Sequence, residues 1–165
     1  MGVIFLCKKE IKVYAFFILL CELIGGLSSL VSMLIGGWNA MSLMGVQQSG
    51  LTPPGFIFPI VWAILYALMG IGAARIWLAD ESKARTQGLL VFSAQLVVNF
   101  FWSIIFFGFQ WFQLAFWWIL LLLALIILMV YIYQKVDRVA AWLQIPYMLW
   151  VTFATYLTYM VWMMN

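Results

Sequence analysis

The tightest constraint on this chain is where its charges are not. Five apolar runs, at about 11–35, 56–78, 88–108, 112–133 and 141–163, contain only Lys12, Glu22 and Arg75 as charged residues. A helix that crosses a bilayer needs about 20 mostly apolar residues. The pattern therefore predicts an all-α membrane protein, a five-transmembrane-helix bundle forming one domain over residues 1–165. Composition agrees. Hydrophobic residues make up 68% of the chain and charged residues 8%, with mean hydropathy +1.13. A soluble domain carries about 25% charged residues. A disordered chain, a DNA-binding module and a secreted disulfide scaffold are all excluded, and a lipid bilayer is the expected surrounding.

The few cations orient the bundle. Lys8, Lys9 and Lys12 flank the start of the first run. Arg75, Lys83 and Arg85 flank the second connector, and Lys135 and Arg138 the fourth. With five crossings these positions share one side, and no cation is left for the other. The positive-inside rule then predicts a cytoplasmic N-terminus and an outside C-terminus at Asn165, in a bacterial-type plasma membrane. The first run is too long for a cleaved signal and lacks a small-residue cleavage site, so it reads as a retained signal-anchor. The first connector, about 36–55, is long and uncharged, and ends in the helix-entry signal Pro53-Pro54-Gly55.

Missing residue types narrow the chemistry further. There is no histidine, so imidazole ligation and histidine acid–base catalysis are unavailable. Cys7 and Cys21 sit 14 residues apart on one helix, roughly 21 Å by helical rise and beyond disulfide reach. No metal site and no required cofactor are expected.

Polar residues inside a bilayer are costly and mark either helix–helix glue or a functional site. Glu22 lies near mid-depth of the first run, with Gly25, Gly26 and Ser29 following on an expected small-residue face. It reads as a proton or ligand-amine partner, or as a protonated carboxyl bonded to a neighbouring helix. Gln95, Asn99 and Ser103 repeat at i, i+4 and i+8 on the third run, with Trp102 beside them. That stripe faces the interior, as glue or as the lining of a pocket. Trp62 and Tyr66 are stacked on one face of the second run, beside the small stripe Ala63, Ala67, Gly70 and Ala74. Tyr147, Trp150, Ala154 and Leu157 form a face of the fifth. Of ten tryptophans, Trp38, Trp77, Trp111, Trp117, Trp118, Trp142 and Trp162 fall at or near span ends, where belt anchoring accounts for them. Trp62, Trp102 and Trp150 lie deeper.

Four blocks carry a resemblance: TPPGFIFPIVWAILYALMG (52–70), QLVVNFFWSIIFFG (95–108), AAWLQIPYMLW (140–150) and FATYLTYMVW (153–162). In order and spacing they resemble the TspO/MBR family of translocator and tryptophan-rich sensory proteins. That resemblance implies a five-helix bundle, commonly a homodimer, that acts as a receptor for porphyrin-type tetrapyrroles such as protoporphyrin IX and for benzodiazepine-like aromatic ligands. Carried over by position, the ligand site would comprise Phe58, Pro59, Trp62, Gln95, Asn99, Trp102, Trp150, Ala154 and Leu157. A light- and oxygen-dependent porphyrin degradation in the family is ascribed to tryptophans matching Trp62 and Trp150, and transport is a further alternative. The sequence departs from the family before the Pro-Pro pair, where Gln48-Ser49-Gly50-Leu51 replaces a Lys-Pro-x-Trp pattern and removes a cation and an aromatic from the first connector. It departs again at Leu114, where many members have a tryptophan. The sterol pattern also fails, since no cation follows Tyr156 and Tyr159.

Overall fold

The computed structural model describes residues 8–41 and 45–165, with side chains over 10–37 and 45–165. Cys7, the Trp38 side chain and the ammonium groups of Lys8 and Lys9 lie outside the described residues. Regular structure among the described residues is helical: α1 (Lys8–Met41), α2 (Ile57–Leu78), α3 (Lys83–Ser103), α4 (Phe112–Tyr133), α5 (Arg138–Trp142) and α6 (Ile145–Met164). Beyond Ser103, α3 continues as a π-helical segment, Ile104–Gly108.

Among the described residues, four stretches are long and apolar enough to cross a membrane: Glu10–Gly37, Ile57–Leu78, Lys83–Gly108 and Phe112–Tyr133, with hydropathies of 2.0 to 2.8. This is a multi-pass membrane protein. Helix α6 has the length, 20 residues, but dilutes its apolar run with three tyrosines and three threonines and falls outside that set.

Element boundaries differ from the apolar runs for local reasons. Helix α3 starts at Lys83, earlier than the run at Gly88, because Ser82 caps it by accepting the Arg85 N–H at 3.1 Å. Helix α1 passes Ile35 and reaches Met41 across a kink at Gly37, where φ 75° and ψ 176° suit only glycine. The last run is split in two. Asp137 caps α5 through the N–H groups of Val139 (2.8 Å) and Ala140 (3.0 Å), and α6 restarts at Ile145 with proline in its first turn.

The two ends of the bundle are tied differently. At one end Asn165 exchanges two 3.0 Å hydrogen bonds with the Gln47 backbone, joining the first connector to the C-terminus. At the other, Arg75 pairs with Asp137 at 2.7 Å, joining the end of α2 to the fourth connector. Lys12 and Trp77 line one cleft, so the start of α1 belongs to this second end. The described cations, Lys12, Arg75, Lys83, Arg85, Lys135 and Arg138, therefore gather at one end of the molecule.

Close helix approach depends on glycine. A Cβ on Gly70 would lie 2.6 Å from Ile18 Cα, and one on Gly25 would run into the Tyr66 ring. The buried face of α1 is Phe17, Cys21, Gly25, Ser28 and Ser32. Glu22 is only half-buried, and Gly26 and Ser29 are exposed. The expectation that Glu22 looks along a packed small-residue face is thus corrected: the packed stripe runs through Cys21 and Gly25, one residue round the helix. Ser28 Oγ donates to the Phe100 carbonyl at 2.6 Å, and Ser32 and Ser103 hydroxyls meet at 3.1 Å. Just beyond, the Ile104 N–H bonds the Phe101 carbonyl, and the helix passes into its π segment.

Candidate ligand site

Three helices bring the interior polar residues together. Helix α3 presents Gln95 and Asn99 one turn apart, α2 presents Tyr66 and Trp62, and α6 presents Tyr147 and Trp150. The Tyr66 hydroxyl donates to Asn99 Oδ1 at 2.7 Å, and Asn99 Nδ2 donates to the Tyr147 oxygen at 2.7 Å. Tyr147 in turn donates to Gln95 Oε1 at 2.9 Å, and Gln95 Nε2 points at the Met69 sulfur, 3.7 Å away. All four polar residues are buried. In a medium without water each such bond removes an unsatisfied group, so the stripe predicted on α3 binds α2 and α6 to it. The tyrosines that complete it were not singled out for that role. Period alone assigns each to a face, but not to a partner.

Around this network the aromatic rings touch. Trp62 lies 5.5 Å from Tyr66, 6.3 Å from Trp102 and 6.2 Å from Tyr147, centroid to centroid. Trp102 stacks on Phe106 at 5.3 Å, and Phe58 meets Trp150 edge-on at 5.8 Å. Trp62, Phe58 and Trp150 are half-buried, Trp102, Ala154 and Leu157 are buried, and Pro59 is exposed on the outer surface of α2. The expected ligand residues other than Pro59 therefore lie at least partly inside the bundle.

Two of these side chains lack what the tyrosines have. The indole N–H groups of Trp102 and Trp150 are buried with no acceptor. Tryptophan nitrogens find a partner when buried, and a buried donor left unmade costs about 1–3 kcal/mol. Trp118 behaves differently from a belt residue: its Nε1 donates to the Val98 carbonyl at 2.8 Å, tying α4 to α3. Trp77, Trp111, Trp117 and Trp142 are exposed, as anchors at membrane edges would be.

A second polar cluster lies at the cationic end. Gln144, fully buried, places its amide against Gly72 and donates to the Leu68 and Ala140 carbonyls at 3.4 Å each. Beside it Arg75 holds Asp137. Partial burial works to raise the Asp137 carboxyl, but the Ala140 N–H, the Arg75 hydrogen bond and charge, and the Val139 N–H outweigh it and hold the group below its usual range. Gln144 was not anticipated; a lone amide just before Ile145-Pro146 was the available signal. No group of three or more His, Cys, Asp or Glu suited to a metal occurs among the described residues.

The sequence profile of the TspO/MBR family matches residues 17–163. A tryptophan-rich protein TspO of Chlorobaculum tepidum is 32% identical over 96% of this chain and 99% of its own length. Protein CrtK of Rhodobacter capsulatus is 32% identical over 94% of each chain. The translocator protein of Ovis aries is 34% identical over 73% of this chain and 72% of its own.

Proposed function

This chain belongs to the TspO/MBR family, and on that premise we propose that it is a membrane receptor or sensor. Its ligands are flat aromatic molecules, porphyrin-type tetrapyrroles first and benzodiazepine-like compounds second, bound between α2, α3 and α6. One observation carries the reading. Two buried indole donors, on Trp102 and Trp150, face no acceptor, within a cluster of rings suited to stacking on a macrocycle. A ligand with carboxylate, carbonyl or ring-nitrogen acceptors supplies what they lack. Phe58, Trp62, Ala154 and Leu157 give apolar surface. Gln95 and Asn99 act mainly through the tyrosines they hold, and Pro59 by fixing the backbone of the first turn of α2.

In the same reading α6 is the fifth span, the N-terminus is cytoplasmic, and the protein works as a homodimer in a bacterial-type plasma membrane. The gathering of cations at one end supports that orientation. Titration of purified protein with protoporphyrin IX should quench tryptophan fluorescence saturably, and Trp150→Ala should weaken binding tenfold or more. Absence of saturable quenching sinks the proposal.

A second reading is photo-oxidative degradation of the bound porphyrin. It draws on Trp62, whose ring lies within about 6 Å of three other oxidisable rings, Tyr66, Trp102 and Tyr147. Under illumination in air, wild type should then consume porphyrin faster than Trp62→Phe. Equal rates leave binding alone.

A further inference from the structure

At the cationic end a feature separate from the ring cluster remains unexplained. Helices α1 and α2 pack tightly at Gly70, whose position leaves no room for a side chain against the Phe17–Ile18 backbone. Two turns further along α2, Trp77 lies beside Phe17, with ring centroids 5.9 Å apart. These rings border a cleft of about 290 Å³ lined by Lys12, Val13, Phe16, Phe17 and Trp77. Its walls are almost wholly apolar, with Phe16 60% and Trp77 48% exposed. Lys12 is exposed at the rim and makes no ion pair among the described residues.

A second cation lies against the Trp77 wall. Arg85 donates to the Trp77 carbonyl at 2.8 and 3.2 Å and lays its guanidinium 5.4 Å from the Trp77 ring centroid. That cation–π contact fixes the indole and the charge as a unit. Arg85 Nη1 has only Glu81 within reach, at 3.9 Å, and that carboxylate is 96% exposed. Its remaining donors are thus free for a stronger anion. Arg85 also opens onto a polar hollow with Ser82, Lys83 and Thr86 at the start of α3. An apolar slot lined by Lys12, with Arg85 against its Trp77 wall, has the polarity of one molecule: an acyl chain below a phosphate.

We propose that this cleft is a binding site for an anionic phospholipid. One acyl chain lies along Phe16, Phe17 and Trp77, and the headgroup phosphate sits between Lys12 and Arg85. Trp77 is then a wall of a lipid site, which goes beyond anchoring at the membrane edge. The charge at the rim selects anionic over zwitterionic headgroups, since each cation near an anionic surface contributes about fivefold in affinity. The site is independent of the tetrapyrrole reading.

The test uses full-length protein reconstituted in phosphatidylcholine bilayers doped with acyl-brominated phosphatidylglycerol or acyl-brominated phosphatidylcholine. Bromine quenches nearby tryptophans, and subtracting the Trp77→Phe signal isolates Trp77. The brominated anionic lipid should quench Trp77 at an about fivefold or more lower mole fraction than the zwitterionic one. Lys12→Gln and Arg85→Gln should each erase most of that preference, whereas Lys135→Gln, at the same end but away from the cleft, should keep it. Equal quenching by the two lipids overturns the proposal. So does a loss in Lys135→Gln as large as in Lys12→Gln, which would mark a diffuse surface potential instead of a site. Lys12 and Lys135 are on the surface, whereas the Arg85 side chain is 17% exposed and bonds the Trp77 carbonyl. Monodispersity and thermal unfolding of each variant separate misfolding from loss of preference, and Lys12→Gln decides if Arg85→Gln does not fold.

Discussion

The tyrosines and the tryptophans at the centre of the bundle are treated in opposite ways. Tyr66 and Tyr147 hand their hydroxyls to Asn99 and Gln95 in a closed relay. Trp102 and Trp150 keep buried N–H groups with nothing to donate to. The relay satisfies itself and so holds helices; the indoles are satisfied only from outside. In the proposed reading structure and binding are therefore separable, although Trp102 and Trp150 share α3 and α6 with the relay.

Breaking the relay should be the more damaging change. Asn99→Ala removes the acceptor of one tyrosine and the donor to another, both buried, and should lower stability by about 2–3 kcal/mol. Thermal unfolding in detergent measures it. A loss as small as that of a surface variant would mean that water enters the site freely. Sharpening the other side of the comparison, Trp102→Phe keeps the ring stack on Phe106 and deletes an unpaired donor. The lost packing and the relief of the unpaired donor oppose each other, so stability should fall by less than in Asn99→Ala, about 1 kcal/mol, while porphyrin affinity falls several-fold. If stability collapses and affinity does not, the indole belongs with the tyrosines.

The smallest effect is expected at the cationic end. The folded-state pKa of Asp137 is lowered, so its contribution is present above its ordinary value near pH 4 and is lost as pH falls through the lower folded value. Asp137→Asn should flatten acid destabilisation over that window. The pair is partly exposed, which limits the difference at neutral pH to less than about 1 kcal/mol.

How much of this could be read from the sequence follows from what periodicity carries. Long apolar runs located α1 to α4, since burial in lipid needs only length and hydropathy. The stripe of Gln95 and Asn99 was also visible, because a helix lines up i and i+4. Its partners were not, since a face says nothing about which helix lies opposite. Glu22 shows the same limit. A residue one position round α1, Cys21, faces the bundle, and contacts such as Gly25 with Tyr66 and Ser28 with Phe100 decide that rotation. The gap between α5 and α6 had a sign in Pro146, yet its filling by Gln144 depends on the space left at Gly72.

The π segment changes how the end of α3 is counted. Across Ile104–Gly108 the Phe109 N–H bonds five residues back, so one residue is in effect inserted into the helical phase. That offset lets Phe106 stack on Trp102 while Gly108 turns to meet Ile35 and Ser32 of α1. Deleting a single residue there would restore ordinary winding and rotate everything beyond it by about 100°. Gly108 would then point away from α1, and the turn into α4 would begin on the wrong azimuth.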